Sequence, residues 1–199
     1  DQGEALLPAI LMLDQRSRRQ AAEIITRIGL GRLLGVTANM PVAGGCSLAS
    51  ILWIRDNAPE VFGKTACFGH SNTYIARWLT GALAIDPSSA SLTALYNTTA
   101  NDMSWNADIA SEISVDTARL PRLIAASESA GRVRETVARE LGLSRRPPVI
   151  IGGNDAVLAA YSAGCSEPGQ VTNVNGTCEI TLVCLGKCYP SPNYNIRAH

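Results

Sequence analysis

The residues best placed to do chemistry are Gly152-Gly153-Asn154-Asp155, which follow the apolar run Val149-Ile150-Ile151 and precede the helical run Ala156 to Ala163. A carboxylate set where a strand ends projects into the crevice beyond the strand's carboxyl end, where ligands collect in open α/β sheets. The two glycines let the chain turn tightly and let a substrate come close. From that position Asp155 can take a proton from a substrate hydroxyl, the part a base plays in phosphoryl transfer. The same pattern also fits an Asp or Asn that only caps the next helix, and local pattern alone favours capping.

About twenty residues later stands Asn175-Gly176-Thr177-Cys178, between the strand-like runs Gln170 to Val174 and Glu179 to Leu185. A turn of this kind offers backbone N–H groups and a hydroxyl to phosphate oxygens. It serves equally as a plain hairpin connection. Asp14-Gln15-Arg16 reads as a charged turn from strand to helix, and Asp86-Pro87 as a turn that caps the segment after it. His70 fits a capping or packed residue. Trp53, Trp78 and Trp105 fit core or interdomain anchors.

These groups need elements to hold them, and the pattern is alternating helix and strand. Ala9 to Leu13 reads as a short strand. A helix runs from Ser17 to Ile28 with Ala21, Ile24, Ile25 and Ile28 on one face and Gly29 as its stop. Five glycines and a proline make 29–46 a long connection. Ser47 opens a helix burying Leu48, Ile51, Leu52 and Trp53, which ends at Pro59. Another spans Ser71 to Leu79, and Gly131 to Leu141 has near-helical apolar spacing. Val149-Ile150-Ile151 reads as a buried strand, and alternating elements with buried strands indicate an α/β architecture.

Composition narrows the function classes. The 199 residues are 46% hydrophobic and 17% charged, enough apolar material for a sizeable core and unlike a disordered chain. Seventeen basic residues balance seventeen acidic ones, so no global field draws nucleic acid or anionic lipid. No apolar run approaches the roughly 20 residues that cross a bilayer. Six cysteines are unevenly spread without a C-x-x-C pair, which fits reduced, buried thiols of a cytoplasmic protein.

Taken in order, the clusters resemble the FGGY carbohydrate kinase family. They are Asp14-Gln15-Arg16, Leu52 to Asn57 with Pro59 to Phe62, Tyr74, Leu79-Thr80-Gly81, Asp86 to Ser91, Leu95-Tyr96-Asn97, Trp105, Gly152 to Asp155, and Pro168-Gly169 with Gly176-Thr177. The resemblance implies a ribonuclease H-like, actin-like ATPase fold of two domains around a cleft, here only partly covered. It places residues 1–163 in the latter part of the N-terminal domain and 164–199 at the start of the C-terminal one.

It further implies transfer of the γ-phosphate of ATP to a sugar hydroxyl, with Mg2+. Asp155 falls on the family's base, touching the sugar with Asn154, and Gly176 and Thr177 fall on the turn that contacts ATP phosphates. No residue ligates metal directly, and Asp155 reaches it through water. D-xylulose is the leading substrate, with gluconate, ribulose, fuculose and glycerol as alternatives. A homodimer is compatible with the resemblance.

Three positions depart from the family pattern: Ala156 after the base, Ser50 before the tryptophan signature, and Cys178 after the phosphate turn. They leave open a rival reading, a non-catalytic binding module on the kinase scaffold. The 199 residues alone are expected to be inactive.

Overall fold

The apolar stripe of the first helix has the expected consequence. In the computed structural model, which describes residues 3–176 and 179–198, α1 (Arg18–Ile28) buries Gln20, Ala21, Ile24 and Ile28 and stops at Gly29 with φ +82°. The glycine-rich stretch behind it departs from the expected connection, for α2 (Leu30–Thr37) begins at once. Gly31 and Gly35 inside this helix cost about 1 kcal/mol each. Burial of Leu33 and Leu34 returns about 1.5–3 kcal/mol each. Packing therefore outweighs propensity there.

α3 (Ser47–Asn57) buries Leu48, Ala49, Ile51 and Leu52, while Trp53 stays half-buried under the Arg16 guanidinium, 4.9 Å from the ring centre. Pro59 stops α3 and opens α4 (Pro59–Lys64), since a first-turn proline gives up only an N–H that has no partner in any case. α5 (Ser71–Thr80) closes on Gly81 at φ +93°. Then come β1 (Ala84–Ile85), α6 (Pro87–Ala90), a 3-10 turn over Ser91–Thr93, and α7 (Ala107–Glu112). β2 (Arg122–Leu123) lies parallel to β1.

The stretch from Gly131 to Leu141 is not one helix. Its start belongs to β3 (Ser129–Arg132), where Gly131 adopts φ +146° and a Cβ would lie 3.2 Å from the Thr80 Cβ, and only α8 (Glu135–Glu140) is helical. Helical spacing of Val133 and Val137 conceals a glycine conformation no helix accepts. β4 (Pro148–Ile150) pairs antiparallel with β3. It is not the buried strand its composition suggested: Ile150 is 52% exposed, because a two-stranded piece covers one face only. Ala9 to Leu13 forms no strand either, and Leu13 is 82% exposed. α9 (Asp155–Ser162) packs on β5 (Val171–Asn175) and β6 (Glu179–Val183), which pair antiparallel from Val171↔Val183 to Asn175↔Glu179.

The largest core joins α1, α2, α3 and α7 through Ile24, Leu33, Leu48, Leu52 and Ile109. A second, smaller core matters more for function. Ala76 of α5, Ala84 of β1, Ile124 after β2 and Ile151 after β4 meet there, so the chain just before Gly152 is anchored by burial. Among the described residues no helix is long and apolar enough to cross a membrane.

Candidate active site

Two backbone bonds carry the anchoring from β4 into the turn: Ile151 N–H donates to Glu128 O (3.1 Å) and Gly152 N–H to Ala126 O (3.1 Å). Gly152 sits at φ +69°, the left-handed region that favours glycine. Gly153 passes so close to the loop after β1 that an added Cβ would lie 2.9 Å from Ser88 Oγ and 3.3 Å from Asp86 Oδ2. Asn154 N–H then donates to Ser88 Oγ at 2.8 Å. The chain enters α9 there.

Asn154 takes the cap position of α9, but its side chain makes no cap bond. Asp155 is the first helical residue, its side chain is exposed, and its Oδ1 accepts the Ala156 N–H at 2.8 Å. Neither side chain is spent on capping in the usual sense, which requires a bond to the second or third N–H of the helix from the cap residue. The carboxylate is left facing a cleft of about 2660 Å³, lined by Asn154, Asp155, Gly176, Ser47, His70 and Arg197 among others.

Asn154, Asp155 and Gly176 thus border one space. Thr177, like Cys178, lies outside the described residues. Among the described residues a Cβ on Gly176 would meet nothing within 4 Å, which leaves room beside its backbone for a phosphate. An exposed carboxylate is a hard oxygen donor of the kind Mg2+ prefers, and that cation usually keeps several waters of its own. The residues present fit both groups.

Beneath the turn lies a feature that sequence reasoning saw only in part. Asp86 caps α6 as its Asp-Pro pair predicted, accepting the Ser89 N–H at 3.0 Å. It also accepts from Asn72 Nδ2 of α5 at 3.0 Å and from the Ser88 hydroxyl, and it is wholly buried. Ser88 therefore joins Asp86 to Asn154, 66 residues further along the chain. A capping signal is local and carries no hint of that partner. Asp14 likewise closes its turn, accepting from Arg16 N–H and Nε (2.9 and 2.8 Å), though no strand precedes it.

His70 is packed: its Nε2 lies 2.6 Å from Ser47 Oγ, and its side chain does not cap α5. Burial holds its imidazole below the ordinary value, against the opposing pull of Asp86, while Arg197 pushes the same way as burial. A depressed folded value means the unfolded chain takes up the proton first as pH falls. The stability this group contributes is present above the ordinary value of about 6.5 and is lost as pH falls through the folded value. Urea midpoints should therefore drop between pH 7 and 5, and less steeply in His70→Gln. Parallel slopes in the two proteins would assign the loss to other groups.

Trp105 is the one tryptophan of the three set edge-on to an aromatic partner, Tyr96 (6.3 Å, 85°), and its indole N–H donates to Pro121 O at 3.0 Å. Trp78 is 37% exposed and anchors nothing comparable. Of the cysteines described, only Cys46 is buried, and burial pushes its thiol up to about 11. Cys67, Cys165, Cys184 and Cys188 are half-buried, so the expectation of uniformly buried thiols is corrected.

The chain as a whole resembles known proteins in sequence and in fold. The family of carbohydrate kinases called FGGY, through its N-terminal domain, matches residues 1–162. A xylulose kinase of Lactococcus lactis is 32% identical over 164 residues, covering 82% of this chain and 32% of that protein. An autoinducer-2 kinase of Photorhabdus laumondii is 27% identical over 151 residues, 76% of this chain and 28% of its own. The crystal structure of a xylulose kinase from Rhodospirillum rubrum superposes with a TM-score of 0.87 at 26% identity, over 96% of this chain and 39% of that one.

The chain belongs to the FGGY family of carbohydrate kinases. Its fold is the mixed α/β, ribonuclease H-like fold of the actin-like ATPases. It spans about a third of the length of the curated relatives it matches.

Proposed function

We propose that the intact protein carrying this chain is an ATP-dependent sugar kinase and that Asp155 is its base. The observation that carries this reading is the exposed Asp155 carboxylate, held at the start of α9 by an anchored glycine turn and open to the cleft. The sugar hydroxyl gives its proton to Asp155 as its oxygen forms the new bond to the γ-phosphorus, and the bond to the ADP oxygen breaks. The gain over the uncatalysed step comes from placing the base at hydrogen-bond distance before the reaction begins. Asn154 orients the sugar beside it, and Gly176 with Thr177 takes the phosphates. Asp155 would hold a Mg2+ ion through water, and that ion would supply charge neutralisation on the phosphate oxygens.

The boundary between the two domains falls between residues 163 and 164. α9 ends at Ser162, Gly164 turns the chain at φ +86°, and the family match ends at 162. D-xylulose is the proposed substrate on the strength of the xylulose kinase relatives. The test is sugar-dependent ADP release by the intact protein across D-xylulose, ribulose, fuculose, gluconate and glycerol. D-xylulose should give the highest kcat/KM. A higher value for any other member reassigns the substrate, and ADP release that no sugar stimulates removes the kinase reading itself.

A further inference from the structure

The catalytic turn hangs from a side chain that does not line the reacting atoms. Ser88 is 1% exposed, donates its hydroxyl hydrogen to Asp86 Oδ2, and accepts the Asn154 N–H at 2.8 Å. Its orientation is determined, because a hydroxyl with one hydrogen donated to a carboxylate has only its lone pairs left for the N–H. Asp86 is in turn fixed by Asn72 Nδ2 and the Ser89 N–H, both at 3.0 Å. Gly153 rests against the same two side chains with no room for a Cβ. Groups from α5, the loop after β1 and α6 thus form a chain of bonds that ends, through Ser88, on the peptide one residue before Asp155.

We propose that Ser88, oriented by Asp86, is a positioning residue that sets where the Asp155 carboxylate stands in the cleft. The inference rests on Asp155 being the base. The only described side chain that binds the turn's backbone between Gly152 and Asp155 from outside α9 is Ser88. Without it the Asn154 N–H loses its partner and Gly153 loses the hydroxyl it rests against. The Asn154 peptide can then tilt beyond the Gly152 anchor, and the carboxylate moves with it. Displacement of a reacting group by about 1 Å costs up to about 100-fold in rate.

The experiment uses the intact protein with ATP and D-xylulose. Ser88→Ala should lower kcat by about 10- to 100-fold while leaving the KM for ATP within about two-fold. Ser88→Thr, which keeps the hydroxyl, should stay within about three-fold of the parent kcat. Hydrogen exchange across 152–156 should speed up in Ser88→Ala and not in Ser88→Thr. If the alanine variant fails to fold, Ser88→Cys, similar in shape and a poor acceptor, reads the same quantities.

An alanine variant with faster exchange but unchanged kcat would show a purely structural serine and overturn the proposal. So would an equal fold-loss when Ser88→Ala is added to Asp155→Asn, because a residue acting through Asp155 has nothing left to position there. Asp155→Asn alone separates the two readings. Full activity in that variant removes the base, whereas its inactivity beside an unimpaired Ser88→Ala removes only the positioning role.

Discussion

Asp155→Asn should lower the kcat of the intact protein by about 10²–10⁴-fold, the range a positioned general base contributes, with the KM for sugar changed far less. The amide has nearly the shape of the carboxylate, so the bond from the Ala156 N–H to the side-chain oxygen survives and α9 keeps its start. The exposed position adds little to folding, and the variant's urea midpoint should match the parent's. What is lost is the ability to accept a proton. A loss seen only in KM would instead make Asp155 a uniform binding contact, realised equally in ground and transition states.

Asp86→Ala should act chiefly on stability, with some loss of kcat through Ser88. Its carboxylate is wholly buried and satisfies three donors, on Asn72, Ser88 and Ser89. Each buried donor left without an acceptor costs about 1–3 kcal/mol, and loss of an N-cap costs about 0.5–2 kcal/mol. The donors are neighbours and can partly re-pair, since Asn72 Nδ2 already reaches Ser89 Oγ at 3.3 Å, so the costs do not add. About 3 kcal/mol is the expected total, read as a shift in the urea midpoint. Asp86→Asn keeps one acceptor for the Ser89 N–H and should lose about half as much. An Asp86→Ala protein as stable as the parent would mean that the three donors find water or new partners at no cost.

Local chemistry was readable wherever one short stretch carried all the information. The helix beginning near Ser17, the Gly81 stop, the Asp86-Pro87 cap and the Gly-Gly-Asn-Asp turn before α9 all stand close to where their residue types placed them. Misreadings arose where a second element decided the outcome. Gly31 and Gly35 argued against α2, but Leu33 and Leu34 had a core to enter. Gly131 sits in a strand because β4 pairs beside it, a partner that helical spacing cannot reveal. The exposure of Ile150 and the link from Ser88 to Asn154 are likewise properties of the assembled chain. From its neighbours alone Asp155 could be read as a candidate base or as a helix cap. What holds it in place could not.

The most direct measurement is phosphorus NMR of the intact protein mixed with ATP, Mg2+ and D-xylulose, beside the same mixture with Asp155→Asn. The parent should form a sugar phosphate monoester in step with ADP, one for one. The variant should form about a hundredth as much ester or less over the same interval. Equal ester formation by both proteins, or ADP with inorganic phosphate and no ester from the parent, would contradict the assignment of Asp155 as the base of a sugar kinase.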